Sequence, residues 1–343
     1  MGSGNCTAMI LAAGLGTRLR PLTQALPKPC VPFLNAPLLY RSLDQLQRAG
    51  HGKVVVNGAY RREVLAATLA ALSSHDAELF LSEEEECLGT AGGVVNASRF
   101  FETSSSILLL NGDVLTELDL EAFMHAHDGE GAYASLALFE SPELPAALHK
   151  VGYDAEGNVT SVDGVLATGP VGPEVGRGIY TGVLGMSPEF LKDLPEESPA
   201  CLKEDGFWPA LREGKLLKAR FGVRHWADIG TPEAYLEAHF HSLLRSGEEM
   251  CSHGYVSRGS GVWIHEHAQV HRDVQMEGPV LVGAHTVIHE GVVLSDGVCL
   301  GSEVQVPAGT RLAHSVVWDR QSVPATGLVD SIQFHGGTVQ VAR

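Results

Sequence analysis

The sequence predicts an α/β protein in two parts: a Rossmann-like, mostly parallel sheet, then a small parallel β-helix. Three observations predict it. Short apolar runs alternate with amphipathic segments through about the first 240 residues, the pattern of a sheet covered by helices on both faces. A run of glycines and cations follows the first apolar segment. From residue 262 a six-residue period takes over, and a fixed short period marks stacked repeats.

The elements follow in order. Residues 9–13, 53–57, 79–82 and 107–111 read as short buried strands. Leu38, Leu39, Leu43, Leu46 and Ala49 recur at helical spacing before Gly50, a stop signal. Val64, Leu65, Leu69 and Leu72 predict a second helix. In such sheets ligands sit beyond the carboxyl ends of the strands. The glycine turn after residue 13 and Asp113 after residue 111 both belong there. Residues 246–261, rich in Ser, Gly and Glu, predict a linker. The expected domains are therefore 1–245, the linker, and 262–343. In the last, Val262, Ala268, Val274, Val280, Thr286, Val292, Val298, Val304, Thr310 and Val316 stand six apart. Two residues after each comes an apolar side chain, from Ile264 to Trp318.

Composition narrows the function. Forty-four per cent hydrophobic and 19% charged residues describe an ordered globular chain. A net charge of −17 argues against nucleic acid as partner. Cations clustered at Arg18, Arg20 and Lys28 inside an acidic protein mark a focused anion site. Six scattered cysteines with no Cys-x-x-Cys pair read as free thiols of a reducing cytosol, without a zinc site. No secretory signal or membrane-length apolar run is visible. Met1-Gly2 opens like a myristoylation signal, but Cys6 stands where Ser or Thr is wanted. The expectation is a cytoplasmic protein with no membrane partner.

The glycine turn carries most of the functional information. An apolar strand entering Gly14-Leu15-Gly16 leaves backbone N–H groups directed into one concavity, a nest for phosphate oxygens. Arg18, Arg20 and Lys28 add charge, which points to a nucleoside triphosphate. The spacing is not that of a P-loop, and Leu19 stands where a dinucleotide fingerprint needs its third glycine.

Leu11-Ala-Ala-Gly-Leu-Gly-Thr-Arg-Leu-Arg-Pro-Leu-Thr23 with Pro27-Lys28-Pro29 resembles the signature of the sugar-phosphate nucleotidyltransferases. Leu88-Gly-Thr-Ala-Gly92, Asn111-Gly-Asp113 and Trp226-Ala-Asp-Ile-Gly-Thr-Pro232 extend the resemblance in order. The hexads resemble the left-handed β-helix of hexapeptide-repeat proteins, with oligomerisation or regulation as its expected role. The family's reaction is attack of a sugar-1-phosphate oxygen on the α-phosphorus of a nucleoside triphosphate, releasing pyrophosphate. The resemblance implies that Leu11, Ala12, Ala13, Gly14, Gly16, Thr17 and Arg18 bind nucleotide, with Arg18 clamping the triphosphate and Lys28 near the α-phosphate. Asp113 and Asp228 match the positions that hold Mg2+, which makes the catalytic set Arg18, Lys28, Asp113 and Asp228.

Glu84, or a neighbour in the run 83–86, could accept from guanine N1–H and its exocyclic amine, while Gly89 and Thr90 would contact nucleotide. Glu-Glu-x-Leu-Gly-Thr-Ala-Gly is similar to mannose-1-phosphate guanylyltransferases, which favours GTP. The expected sugar-phosphate set is Gly112, Lys150, Gly152, Thr181 and Gly182. The chain departs from the family in lacking Glu-Lys-Pro between residues 154 and 178 and in having Tyr180 where an asparagine is expected. These departures are similar to the muramic-acid-phosphate uridylyltransferase branch. Uridylyl or thymidylyl transfer and a non-catalytic nucleotide-sugar-binding subunit stay open. So does a bifunctional acyltransferase using a histidine among His253, His265, His267, His271, His285, His289 and His314. The expected partners are a nucleoside triphosphate, a sugar-1-phosphate and further copies of the chain through the β-helix.

Overall fold

The computed structural model describes residues 5–72, 77–143, 145–245, 248–251 and 253–342. The Met1-Gly2 reading lies outside the described residues, as do residues 246, 247 and 252 of the expected linker. The chain forms two compact units. The first is Met1–Leu15, Pro27–Cys30 and Leu38–Asp228; the second is Gly16–Leu26, Val31–Pro37 and Ile229–Arg343. The second unit thus starts upstream of the expected linker and takes in two short stretches from the chain's beginning.

The chain starts with strand β1 (Cys6–Leu11). The ribbon β2 (Pro32–Phe33) and β3 (Ala36–Pro37), which belongs to the second unit, precedes α1 (Leu38–Arg48). There follow β4 (Lys53–Gly58), α2 (Arg62–Leu72), β5 (Glu78–Glu83), α3 (Gly89–Asn96), β6 (Ser106–Asn111), β7 (Val114–Glu117) and α4 (Leu120–Glu130). Next come β8 (Ala134–Phe139), β9 (Val151–Tyr153), β10 (Val159–Val162), β11 (Val165–Leu166) and β12 (Gly176–Met186). Helix α5 (Pro188–Asp193), a π-helical turn (Leu202–Phe207), α6 (Trp208–Arg212), β13 (Leu217–Arg220) and β14 (His225–Asp228) complete the first unit.

Its sheet runs β11-β10-β9-β12-β6-β1-β4-β5, with β8 joined to β12 and β13 to β8. The strands β6, β1, β4 and β5 are parallel, and β12 returns antiparallel to β6. Ile107, Leu108, Leu109 and Leu110 are all buried, because a strand covered on both faces has no polar side. The ladder between β1 and β6 ends at Leu11↔Asn111, so both chains leave the sheet at one edge. The helices form as their apolar spacing predicts: Leu38, Leu39, Leu43 and Leu46 face inward on α1, and Leu65 and Leu69 on α2. On α4 the Asp119 carboxylate caps the Ala122 N–H at 2.9 Å, and Gly131 ends the helix in the left-handed conformation.

The second unit contains α7 (Pro232–Arg245), then β15 (Tyr255–Gly259), β16 (Val262–His265), β17 (Gln269–Val270), β18 (Gln275–Met276) and β19 (Val280–Val282). It continues with β20 (Val287–Ile288), β21 (Val293–Leu300), β22 (Gln305–Val306), β23 (Arg311–Val317), β24 (Leu328–Phe334) and β25 (Gly337–Gln340). Strands β16, β19, β21, β23 and β24 stack in parallel, as do β17, β20 and β22. This is a parallel β-helix, and Val280, Val282, Ile288, Val292, Leu294, Val298 and Leu300 fill its core.

The six-residue register breaks where the sequence shows no slip. At β23 the pairing becomes Val298↔Ser315, Cys299↔Val316 and Leu300↔Val317. Val317 therefore joins the solenoid core, and the expected core residues Val316 and Trp318 turn to the other face. Asp296 and Gly297, both with positive φ, absorb the extra residue as a bulge in β21. A further coil, β24, extends the stack past the last hexad, pairing Val316↔Ile332. Helix α7 covers the reversed face. The Phe240 ring lies against Gly297, where a Cβ would stand 2.6 Å from it, and Trp318 Nε1 donates to the Tyr235 hydroxyl at 3.0 Å. His314 sits between Asp330 (2.7 Å) and Glu237 of α7 (3.2 Å).

Candidate active site

At the carboxyl edge of the first unit, three chain segments converge on one ammonium group. Lys28 lies in a single 3-10 turn, Lys28–Cys30, bracketed by prolines that fix φ, with the Cys30 N–H donating to Pro27 O at 2.9 Å. Its side chain is buried, 7% exposed, while Asp113 and Asp228 keep 38% and 33%. The ammonium stands 2.8 Å from Asp113 Oδ2 and 3.7 Å from Asp228 Oδ1.

The topology explains the meeting. Asp113 occupies the turn between β6 and β7, and Gly112 allows that turn because a Cβ would sit 2.8 Å from Ile10 and 2.9 Å from Leu11 O. Strand β14 pairs antiparallel with β7, Asp228 opposite Val114. Two aspartates 115 positions apart (228 − 113) thus become neighbours.

Two carboxylates with exposed oxygens beside a buried cation fit a hard divalent ion. Magnesium keeps most of its water and takes few protein ligands, leaving positions for phosphate oxygens. Among the described residues no cluster of three or more metal-ligating side chains occurs, so any ion held by Asp113 and Asp228 would depend on substrate oxygens.

The glycine loop leaves β1 beside this edge. Ala12 and Ala13 are buried, and the Ala12 N–H donates to Asn57 Oδ1 at 2.7 Å. Gly14 is exposed, and a Cβ there would meet nothing within 4 Å. Among the described residues no neighbour requires that glycine, and its missing side chain leaves the backbone open. Gly16 (φ 60°), Thr17 and Arg18 belong to the second unit. There Gly16 O accepts from the Thr23 hydroxyl at 2.7 Å and the Leu19 N–H at 3.1 Å. The Arg18 guanidinium lies broadside on Gly230, whose Cβ would stand 2.8, 2.9 and 3.0 Å from Nη1, Cζ and Nη2. The glycine in Asp228-Ile-Gly230 thus lets the guanidinium lie directly against the backbone.

The acidic run divides. Glu85 and Glu86 are exposed, but Glu84 is 2% exposed. Its Oε1 accepts from Asn57 Nδ2 at 2.6 Å and its Oε2 from the Leu88 N–H at 3.1 Å. Both oxygens face inward, which gives Glu84 a framing role that the sequence did not suggest. Gly89 (φ +76°) presses on the Ala200 carbonyl. Ala91 N–H donates to Ala200 O and Ala200 N–H to Leu88 O, both at 2.9 Å. Thr90 Oγ1 accepts from the Leu202 N–H at 2.9 Å, holding the start of the π-helical turn.

The expected sugar-phosphate set does not stay together. Gly112 and Gly182 lie at the strand edge, Gly182 (φ +85°) against the Asn111 side chain. Thr181 is buried, its hydroxyl donating to Ala137 O at 2.9 Å. Lys150 pairs instead with Asp163 at 3.4 Å, a carboxylate it shares with Lys203 at 2.9 Å. Hydrogen bonds from Lys203 first, then Lys150, hold that carboxyl below its usual range. The space over Gly152 is filled by Glu174, which also takes the Thr160 and Ser161 hydroxyls at 3.0 Å. Both positions are thus satisfied by protein groups. Tyr180 packs edge-on to Phe207 at 5.6 Å, and burial pushes its phenol up. In the second unit His267 stacks on His285 at 5.4 Å, and burial pushes the neighbouring His265 imidazole down.

The family model described as Nucleotidyl transferase matches residues 7–243, which span every segment of this edge. The chain belongs to the nucleotidyl transferase family. It is 32% identical over 254 residues to the mannose-1-phosphate guanyltransferase of Eremothecium gossypii, covering 72% of this chain and 68% of that one. It is 31% identical over 269 residues to that of Candida albicans, covering 77% and 72%. Among solved structures it is similar to HddC from Yersinia pseudotuberculosis complexed with GMP-PN. There the identity is 25% and the TM-score 0.55, with 68% of this chain and 97% of that chain covered. This nucleotidyl transferase therefore carries its family's fold in the first part of the chain and adds a β-helix beyond the matched span. Among the described residues no helix is long and apolar enough to cross a membrane.

Proposed function

We propose that the protein transfers a guanylyl group from GTP to a mannose-like sugar-1-phosphate, forming a nucleotide sugar and pyrophosphate with Mg2+. The reading is carried by one observation: the buried Lys28 ammonium held by Asp113 and Asp228 at the end of the parallel strands. The names of the guanyltransferase relatives and of the nucleotide-bound neighbour support the nucleotide and the sugar.

In this reaction a phosphate oxygen of the sugar-1-phosphate bonds to the α-phosphorus of GTP. The bond from that phosphorus to the bridging oxygen breaks, and pyrophosphate leaves with the electron pair. Three anionic groups gather, so the barrier is mainly electrostatic. Lys28, aimed by its flanking prolines, stabilises charge developing at the α-phosphate. Backbone N–H groups around Gly14 and Gly16 hold phosphate oxygens, and Arg18 clamps the departing pyrophosphate. Asp113 and Asp228 would hold Mg2+, which would supply charge neutralisation on the phosphates. We assign the sugar phosphate to the strand edge at Gly112 and Gly182, glycines that their neighbours Ile10, Leu11 and Asn111 require. Glu83, Glu85 and Glu86 are the exposed members of the acidic run, and one of them is the carboxylate that accepts from guanine. We assign catalysis to the domain expected at residues 1–245 and oligomerisation to the β-helix.

Pyrophosphate release across four nucleoside triphosphates and several sugar-1-phosphates, with and without magnesium, tests the reading. Release is expected with GTP and mannose-1-phosphate, only with the metal. No release in any combination overturns the enzyme assignment; release with UTP alone overturns the base assignment, and release with every sugar-1-phosphate except mannose-1-phosphate overturns the sugar assignment.

A further inference from the structure

Asn57 and Glu84 form a buried polar bridge that the proposed reaction does not use directly. Asn57 is 1% exposed and Glu84 2%. The bridge runs in one direction: Ala12 N–H to Asn57 Oδ1 (2.7 Å), Asn57 Nδ2 to Glu84 Oε1 (2.6 Å), and Leu88 N–H to Glu84 Oε2 (3.1 Å). The amide is thereby locked, since Ala12 needs an acceptor and the carboxylate needs a donor. Ala12 follows the last ladder residue of β1, and Leu88 precedes α3, so each N–H it satisfies opens a glycine segment. Burying a carboxylate costs several kcal/mol unless its oxygens are bonded. An apolar pair would fill the same volume without that cost. Even the neighbouring helix is fitted to the bridge. At Gly93 a Cβ would stand 2.5 Å from Asn57 Nδ2 and 2.8 Å from Glu84 Oε1.

We propose that the Asn57–Glu84 bridge is a positioning device that fixes the loop at 12–15 relative to the loop at 88–92, so that both grip one nucleotide. Asn57 and Glu84 act through the backbone they hold and touch no substrate. The inference rests on the proposed nucleotide site but is tested separately from it. Each substitution directly removes a partner from one loop, so a device that couples the loops must transmit the effect to the other.

The test uses Asn57→Ala, the nearly isosteric Glu84→Gln, and both together, in the full chain. Amide hydrogen exchange is read at residues 12–14 and 87–90, and KM for each substrate is measured with the best nucleotide of the wild-type panel. Glu84→Gln is expected to speed exchange at 12–14 as well as 87–90. It should also raise KM for the nucleotide about tenfold to a hundredfold while leaving KM for the sugar-1-phosphate within about twofold. The double variant is expected to be no worse than the weaker-binding single variant, because both cut one bridge. Faster exchange confined to 87–90 in Glu84→Gln overturns the bridge, as do equal rises in both KM values. If the wild type releases no pyrophosphate with any pair, the proposed function fails and the exchange experiment still decides the bridge. Should Asn57→Ala not fold, Glu84→Gln alone carries the decision.

Discussion

The two units of this chain build order in opposite ways. In the first, the groups that meet at the strand edge come from residues 28, 113 and 228: strand pairing brings the two aspartates together, and ion pairs join them to Lys28. In the second, each coil repeats its predecessor at a spacing of 18 residues through most of the stack. In the first unit Asp113 and Asp228 stay 38% and 33% exposed, so losing either should cost chemistry with little loss of packing. The second has its interior in one continuous aliphatic column, where any gap is felt by the coils on either side. The lesson is that a substitution's consequence follows from the way a region was assembled as much as from its residue type.

The largest effect that would sharpen this contrast is expected at Asp113. Asp113→Asn removes a proposed metal ligand and a charge partner of Lys28. It should lower kcat by a factor on the order of 10²–10³, measured by pyrophosphate release, with the thermal midpoint moving by only a few degrees. A fall in midpoint matching that of a core substitution would break the comparison. Leu300→Ala is the converse. Leu300 is fully buried in the solenoid core, and its truncation should cost about 2–5 kcal/mol in urea unfolding.

The smallest expected effect is a pH dependence in the first unit. His127 is 2% exposed, against Gly185 and 3.0 Å from the Ser135 hydroxyl, and burial pushes its imidazole below the ordinary value of 6.5. The unfolded chain therefore takes up a proton that the folded chain refuses. Stability falls as pH drops below 6.5, by at most about 1.4 kcal/mol per pH unit, until the folded imidazole protonates. In His127→Gln that part of the acid slope should disappear between pH 6.5 and 5, as read by urea midpoints.

Much of this was legible in the residues. The strands around Val55 and Leu109, the helix face of Leu39, Leu43 and Leu46, and the coils from Val262 to Leu312 follow from apolar spacing alone. Asp113 and Asp228 were legible through the motifs around them. The Asn57–Glu84 bridge was not, although an asparagine closing the run Lys53-Val-Val-Val-Asn57 is a signal worth reading. A polar residue at the end of a buried strand needs a partner, and the sequence does not say which. The partners of Lys150 and Gly152 were not legible for the related reason that Asp163 and Glu174 lie elsewhere in the chain and take up that charge and space. The hexad register was misread at Val316, since the bulge at Asp296-Gly297 shifts the inward face by one residue.

By itself the sequence determined the two periodicities and the glycine and cation signature, because each is a local pattern that backbone geometry imposes. Only the tertiary structure decided which carboxylates meet Lys28, which glutamate turns inward, and which face of the last coils α7 covers. Those outcomes depend on pairing between segments far apart in the chain, where each group takes whichever partner the completed sheet or solenoid brings within reach.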